Sequence, residues 1–508
     1  MKRLASGTNE YQTGAVRIEH VRLAIIGTGF AGLGTAIRLL QRGERDFVLL
    51  ERATDVGGVW RDNVYPGCAC DVQSRLYSFS FAPKADWSRS YAPQAEILEY
   101  LRTCARDFGV LPFVRFQHEV RAARWIAESQ RWRLEIETPE GARVIEADVL
   151  VGAQGALADP AIPRLPGIER FAGETFHSAR WRHDVSLEGK RVGVIGTGAS
   201  SIQFVPKIQP VVGKLVLFQR TPAWIMPRGD RAISAATKTL FGRVPAAERA
   251  ARQALFAARE LTLLSFRKGP INRVAKQIAR RHLERAVSDP ALRAKLTPSY
   301  DLGCKRILLS DDYLPALARP NVEVETSPLV EVRESSIVTA AGEHELDVII
   351  YGTGFRITDP PVSHLVFGPD GRSLAETWRG SPQAHRGTTV AGFPNLFLLQ
   401  GPNTGLGHTS VILMIEAQIE HMLDVLDHLR KHDGRTVAPS PEAQAAFIAG
   451  VDRKMRGSVW TQGGCQSWYL DETGRNSTIW PDFVFEFQRT MARFQPDEYV
   501  VDPPRPGV

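Results

Sequence analysis

The sequence predicts an α/β chain built on two doubly wound parallel sheets, the second carrying a helical insertion. Three observations predict it. An apolar run from Val21 to Ile26 leads into Gly27-Thr28-Gly29-Phe30-Ala31-Gly32 and then into an amphipathic stretch that stops near Gly43. The same order recurs where Val192 to Ile195 leads into Gly196-Thr197-Gly198-Ala199-Ser200-Ser201. Between Ala232 and Tyr300 the composition shifts to alanine, arginine and leucine, as in PAAERAARQALFAAREL. Short continuous apolar runs alternating with helical patterns suit parallel strands joined by crossover helices.

The elements follow in order. In the first turn Gly27 makes the tight bend, Gly29 admits a pyrophosphate to the backbone, and Gly32 lets helix meet strand. The helix N-terminus offers unpaired N–H groups to phosphates. A second apolar run, Phe47 to Leu50, ends at Glu51, where a carboxylate accepts ribose hydroxyls. In the second turn Ser201 stands where the third glycine belongs, and the next strand, Leu215 to Phe218, ends in Gln219-Arg220-Thr221. An arginine there pairs with a ribose 2′-phosphate that a carboxylate would repel. The first turn therefore suits a 2′-hydroxyl nucleotide and the second suits NADP over NAD. Two such turns in one chain point to a flavin and a nicotinamide, with hydride passing between them. These are two Rossmann-like dinucleotide-binding domains, one for FAD and one for NADP.

The chain has 508 residues, enough for two or three domains. At 43% hydrophobic and 23% charged it is neither disordered nor fibrous. No apolar run reaches the roughly 18 residues of a membrane span. The first 20 residues lack an apolar signal core and read as a short disordered arm. A net charge of +7, from 63 basic against 56 acidic residues, favours a phosphorylated cofactor without implying nucleic acid. Cys68, Cys70, Cys104, Cys304 and Cys465 form no CxxC pair and no His-flanked cluster, which suggests a reducing cytoplasm and no structural zinc. Cys68 and Cys70, one residue apart, lack the spacing of a disulfide reductase and read as packed thiols.

Three further segments carry a resemblance. FAGETFHSARW, from Phe171 to Trp181, matches FxGxxxHxxxW, the fingerprint of class B flavin monooxygenases. Its terminal Trp resembles the Baeyer–Villiger branch, which usually has Pro or Asp next; here Arg182 follows, with Asp184 two places on. GGVWRDNVYPGCACD, from Gly57 to Asp71, matches the family's GGxWxxNxYPGxxxD. DVIIYGTGF, from Asp347 to Phe355, resembles its DVIxxATGF, with Gly352 in place of Ala. Across most of its length the chain resembles type I Baeyer–Villiger monooxygenases.

The resemblance implies roles. Arg306, in Cys304-Lys305-Arg306, would be the catalytic cation facing the flavin, with Asp71 orienting it. Lys305 would join Arg220 and Thr221 at the 2′-phosphate. Phe30, Trp60, Tyr77 and Val120 would complete the flavin site, and Gly196, Thr197, Gly198, Ala199, Ser200, Ser201 and Gln203 the nicotinamide site. Phe171, Gly173, His177 and Trp181 would form a linker that couples domain movement to catalysis without touching substrate. Trp468, in GGCQSWYLDETGRNST, would lie on a mobile loop closing over NADP. In the implied chemistry NADPH reduces FAD, and dioxygen adds to give a C4a-peroxyflavin anion. That anion attacks a ketone, which becomes an ester or lactone without any metal. The alternative is oxygenation of nitrogen or sulfur. The implied partners are a small ketone and dioxygen, with no nucleic acid and no membrane, in the cytoplasm.

The expected organisation is an arm over 1–20, an FAD domain over 21–155 and 385–500, an NADP domain over 156–231 and 301–384, an insert over 232–300, and a tail over 501–508. The insert would wall the active site, with a helix starting at Pro245 and stopping at Gly269-Pro270. Asn395 to Gln400 reads as a strand, Gly401 to Gly407 as a loop offering N–H groups to the flavin, and Ser410 onward as a helix.

Overall fold

The computed structural model describes residues 18–432 and 434–503. The remaining parts of the expected arm and tail, 1–17 and 504–508, lie outside the described residues.

The first sheet centres on the strand Glu19–Ile26, whose Leu23, Ala24 and Ile25 are fully buried. It lies parallel to Phe47–Glu51 on one side and to Gly141–Gly152 on the other, with Ile25 opposite both Leu49 and Val151. Burial on both faces explains why these strands read as unbroken apolar runs. The sheet then turns antiparallel through Arg131–Thr138 and Glu119–Ile126. The strand starts at Glu19, which pairs with Ile145, so the expected arm ends two residues early.

The second sheet is parallel throughout, in the order Val322–Glu325, Lys214–Phe218, Arg191–Ile195, Val348–Tyr351 and Glu174–His177. The fingerprint segment therefore supplies an edge strand. His177 ends that strand and a single 3₁₀ turn, Ser178–Arg180, separates it from Trp181, so the two share no helical face.

Several expected boundaries are corrected. The two-residue strand Val366–Phe367 pairs with Ala123 and Arg124 of the first sheet. Leu374 and Trp378 are buried in one core with Trp125 and Trp132. The chain thus returns to the first sheet well before residue 385; a two-residue strand carries no periodicity that could announce this. Tyr499–Asp502 pairs antiparallel with Thr436–Pro439, so residues 501 and 502 are sheet and not tail. The expected strand from Asn395 to Gln400 shortens to Leu396–Leu398, because Asn395 and Gln400 take φ of 54° and 58°. The following helix, Val411–Lys431, begins as expected after Ser410, whose hydroxyl accepts from the Ile412 N–H.

The insert is four helices, Ala235–Arg243, Pro245–Leu261, Pro270–Ala286 and Pro290–Leu296. Pro245 opens a helix as expected, but Gly269-Pro270 opens the next one, the preceding helix having ended at Leu261 in a 3₁₀ turn. The insert docks on the first domain through Arg252. This buried side chain donates to the Ser78 hydroxyl at 3.0 Å, to the Ser78 carbonyl at 2.9 Å and to the Arg75 carbonyl. Its nearest counter-charges are Glu416 and Glu248. No helix among the described residues is long and apolar enough to cross a membrane.

Replacing Arg252 by Met leaves the buried Arg75 and Ser78 carbonyls without their donor. The expected loss is about 1–3 kcal/mol, read as a lower melting temperature with faster protease cleavage within 232–300. A variant that melts and is cleaved like the parent would show that apolar contacts alone hold the insert.

Candidate active site

The first glycine turn folds as its sequence demands. Gly27 has φ of 102°, and a side chain there would lie 2.8 Å from the Ala153 carbonyl oxygen. A Cβ on Gly32 would collide with the Gly27 carbonyl oxygen, whereas Gly29 faces Gly58 at ordinary contact distance. Glu51 ends the next strand buried, accepting from the Thr28 hydroxyl at 2.5 Å and the Ala53 N–H at 2.9 Å. Arg61, from the second motif, pairs with it at 3.0 Å. Phe30, Trp60 and Tyr77 form an edge-to-face aromatic group, and the Trp60 indole donates to the Tyr77 hydroxyl at 3.2 Å.

The second turn repeats the geometry with one exchange. Gly196 takes φ of 106° against the Gly352 carbonyl. Ser201 is buried, and a Cβ on residue 352 would collide with its hydroxyl. Two departures from the family pattern, serine for glycine at 201 and glycine for alanine at 352, are thus one volume exchanged between facing positions.

A cavity of about 1270 Å³ joins the domains. Trp60, Asp71, Tyr77, Gly196, Thr197, Gly198, Ala199, Ser200, Gln203, Arg220, Thr221, Lys305, Arg306 and Trp468 line it. Gly27, Gly29, Phe30, Gly32, Glu51 and Ser201 are not among its lining residues. Val120 is buried in the core beneath the first sheet, so its side chain does not face the cavity. Phe171, Gly173, His177 and Trp181 also lie off the wall. Gly173 is needed because a Cβ there would press on the Phe171 ring, and Trp181 packs between Phe176 and Phe204. His177 is 2% exposed and accepts from the Ala179 N–H, and burial holds its pKa down at about 4.

Arg306 is the centre of the cavity's electrostatics. Its Nε donates to Asp71 Oδ2 at 2.7 Å, and its Nη2 lies 2.6 Å from the same oxygen. Its Nη1 reaches the Leu406 carbonyl at 3.4 Å. The Asp71 charge raises the guanidinium pKa further, against the opposing effect of burial. Lys305 lies over the Tyr300 ring, and its pKa is lowered by burial and then by the like charge of Arg220. Two cations facing each other across a cavity wall make a place for an anion. Thr197 donates to the Thr221 carbonyl at 3.1 Å, tying the turn to this corner.

Some expectations need correction. Gln203 spends its amide on the other domain: it donates to the Ala69 carbonyl at 2.9 Å and accepts from the Tyr65 hydroxyl at 3.0 Å. From the insert only Tyr300 lines the cavity, so the insert is not its main wall. In the Gly401–Gly407 loop, the N–H groups of Asn403 and Gly405 go to the carbonyls of Ser477 and Thr478 and are not free for a flavin. Cys304 and Cys465 are joined as a disulfide, while Cys68, Cys70 and Cys104 are buried free thiols. The absence of a CxxC spacing hid this pair, because a bridge across 161 residues leaves no local signal. Two further residues bear on the site. Gln154 lines the cavity with its amide nitrogen buried and unpartnered, and Tyr469 is buried with its hydroxyl unpartnered, its pKa pushed up to about 12 by burial and eased by the Arg306 charge.

Comparisons with known proteins fit this geometry. The family model of flavin-binding monooxygenase-like proteins matches residues 20–367. A Baeyer–Villiger monooxygenase of Streptomyces coelicolor is 54% identical over 493 residues, covering 96% of this chain and 94% of its own. One from Pseudomonas aeruginosa is 46% identical over 483 residues, covering 94% and 91%. Among solved structures, the closed form of cyclohexanone monooxygenase superimposes with a TM-score of 0.86 at 27% identity, covering 96% of this chain and all of that one. An oxidised steroid monooxygenase bound to NADP superimposes with a TM-score of 0.84 at 29% identity and the same coverage. The chain belongs to the flavin-binding monooxygenase-like family. Its full-length relatives place it on the Baeyer–Villiger branch.

The exchange at 201 and 352 is testable. Gly352→Ala alone should cost about 1–3 kcal/mol through overpacking, and adding Ser201→Gly should recover most of the loss in melting temperature. A double variant that melts no higher than Gly352→Ala would refute the pairing.

Proposed function

We infer that this protein is an NADPH- and dioxygen-dependent, FAD-containing monooxygenase that converts ketones to esters or lactones. The observation that carries the reading is the Arg306–Asp71 pair, set in the cavity where both domains meet. The residues present fit both cofactors. Gly27 and Gly32 leave no room for side chains in the first turn, and Glu51 stands at the adjacent strand end as a ribose acceptor. At the second turn, Arg220 and Lys305 crowd each other, as a 2′-phosphate site requires before its anion arrives.

Bound FAD, reduced by NADPH, supplies the oxygen-activating chemistry. The protein's own part is electrostatic and steric. Asp71 holds two nitrogens of Arg306 and so fixes the guanidinium plane. That fixed cation would stabilise negative charge developing on oxygen within the cavity. Leu308, Val411 and Ile479 give the cavity an apolar wall that suits a ketone and excludes water. Trp468, 42% exposed at the rim, is placed to cover a bound nicotinamide nucleotide. The demand for NADPH supports a cytoplasmic location.

Arg306→Ala should retain its flavin absorbance and lose ester formation by roughly 100-fold or more, measured on a ketone panel with product identification. Normal ester yield from that variant, or heteroatom oxides without any ester from the parent, would overturn the reading. Arg220→Ala should lower the ratio of kcat/KM for NADPH over NADH by about 10- to 100-fold, the worth of a charge-assisted contact. An unchanged ratio would remove the 2′-phosphate role.

A further inference from the structure

The Cys304–Cys465 bridge lies where control of the site would be most direct. Cys304 immediately precedes Lys305 and Arg306, and it is 1% exposed. Cys465 sits between the exposed residues Gly464 and Gln466 in the segment that carries Trp468 and Tyr469. Other contacts run the same way. The Asp301 N–H donates to the Gly463 carbonyl at 2.8 Å, and a side chain on Gly463 would press on Cys304. Tyr469 is buried close enough to Arg306 to feel its charge. The loop from 463 to 469 is thus fastened to the segment from 301 to 306 by a hydrogen bond at its start and by one covalent link.

We propose that Cys304 and Cys465 form a redox-responsive clasp: as a disulfide they fix the Trp468 loop against the Arg306 segment, and as a dithiol they release it. The proposal rests on the reading of Arg306 as the catalytic cation for its effect on turnover, and not for the chemistry of the bond. The unequal exposure of the two cysteines sets the direction of attack. A thiolate of an external dithiol attacks the accessible Cys465 sulfur. The S–S bond breaks, the electron pair leaves on the Cys304 sulfur, and that sulfur takes a proton. The second thiol of the reductant then attacks the mixed disulfide and frees Cys465. The reductant ends as a disulfide, and two electrons and two protons have passed to the protein. Reoxidation by hydrogen peroxide runs through a sulfenic acid on Cys465, formed with release of one water; the Cys304 thiolate then attacks that sulfur and the S–O bond breaks, with hydroxide leaving as the second water. Two thiols and one peroxide give one disulfide and two waters.

Loss of the clasp leaves Asp71 on Arg306 but frees the rim. A freed rim admits water, so less of the NADPH consumed should end in product.

The test uses the flavin-loaded full chain, treated with either hydrogen peroxide or dithiothreitol. Differential alkylation under denaturing conditions, read by mass spectrometry, should find Cys304 and Cys465 protected only in the oxidised sample. Reduction should speed protease cleavage between residues 463 and 469 several-fold and lower the fraction of NADPH recovered as oxygenated product. Cys465→Ser should match the reduced parent and ignore both reagents, and Cys304→Ser gives an independent check should Cys465→Ser fold poorly. If the pair stays alkylatable after peroxide, or if reduction changes neither cleavage nor product yield, the clasp is refuted. Alkylation and cleavage need no turnover. A protein that opens on reduction yet makes no ester would keep the clasp and sink the reading of function instead.

Discussion

The ion pair between Arg306 and Asp71 joins two parts of the chain that sequence separates by more than 200 residues. A guanidinium in a cavity between domains loses hydration, which alone would lower its pKa. The carboxylate 2.7 Å away more than offsets this, and the net shift is upward. The pair is costly to break from one side only, since each removal leaves the other charge uncompensated. That asymmetry favours the domain arrangement in which the two charges meet.

Asp71 is the last of a short series gripped by the second domain. The Gln203 amide holds both the N–H and the carbonyl of Ala69, Arg228 donates to the Cys70 carbonyl at 3.0 Å, and Arg306 holds Asp71. Two residues earlier, Gly67 takes φ of 80°, and a side chain there would lie 2.8 Å from the Gln203 carbonyl oxygen. The Tyr65 hydroxyl donates to the same Gln203 side chain. The YPGxxxD end of the second motif is therefore an interdomain seam at backbone distance. Its glycine and its aspartate serve one purpose, the first by letting the helix Ser201–Ile208 approach and the second by closing the contact on Arg306.

How much of this the sequence disclosed depends on the range of each interaction. The glycine turns were legible because strand, bend and helix follow one another within some twenty residues, although Gly27 and Gly196 answer to the distant Ala153 and Gly352. Family motifs made the Arg306–Asp71 partnership an expectation, although no local pattern links the two. The exchange between Ser201 and Gly352 was visible only as two separate departures, since nothing in either segment says that they face each other. Val366–Phe367 joined the first sheet without any periodicity to mark it, and Gly269-Pro270 was read as a stop when the same pair equally well begins a helix. The cysteine pair failed for the same reason as the exchange: its geometry is tertiary.

The seam and the clasp act on Arg306 from opposite sides, and their chemistry differs in a way that matters. On the Asp71 side the contacts are charge-assisted or buried hydrogen bonds, which break and reform without a change of reagent. On the Cys465 side the contact is covalent, and on the proposed reduction that bond would be lost. The covalent hold changes only with the surrounding thiol–disulfide poise, whereas the electrostatic one needs no reagent to reform. The covalent link sits on the loop that carries Trp468, and the electrostatic link on the body of the first domain.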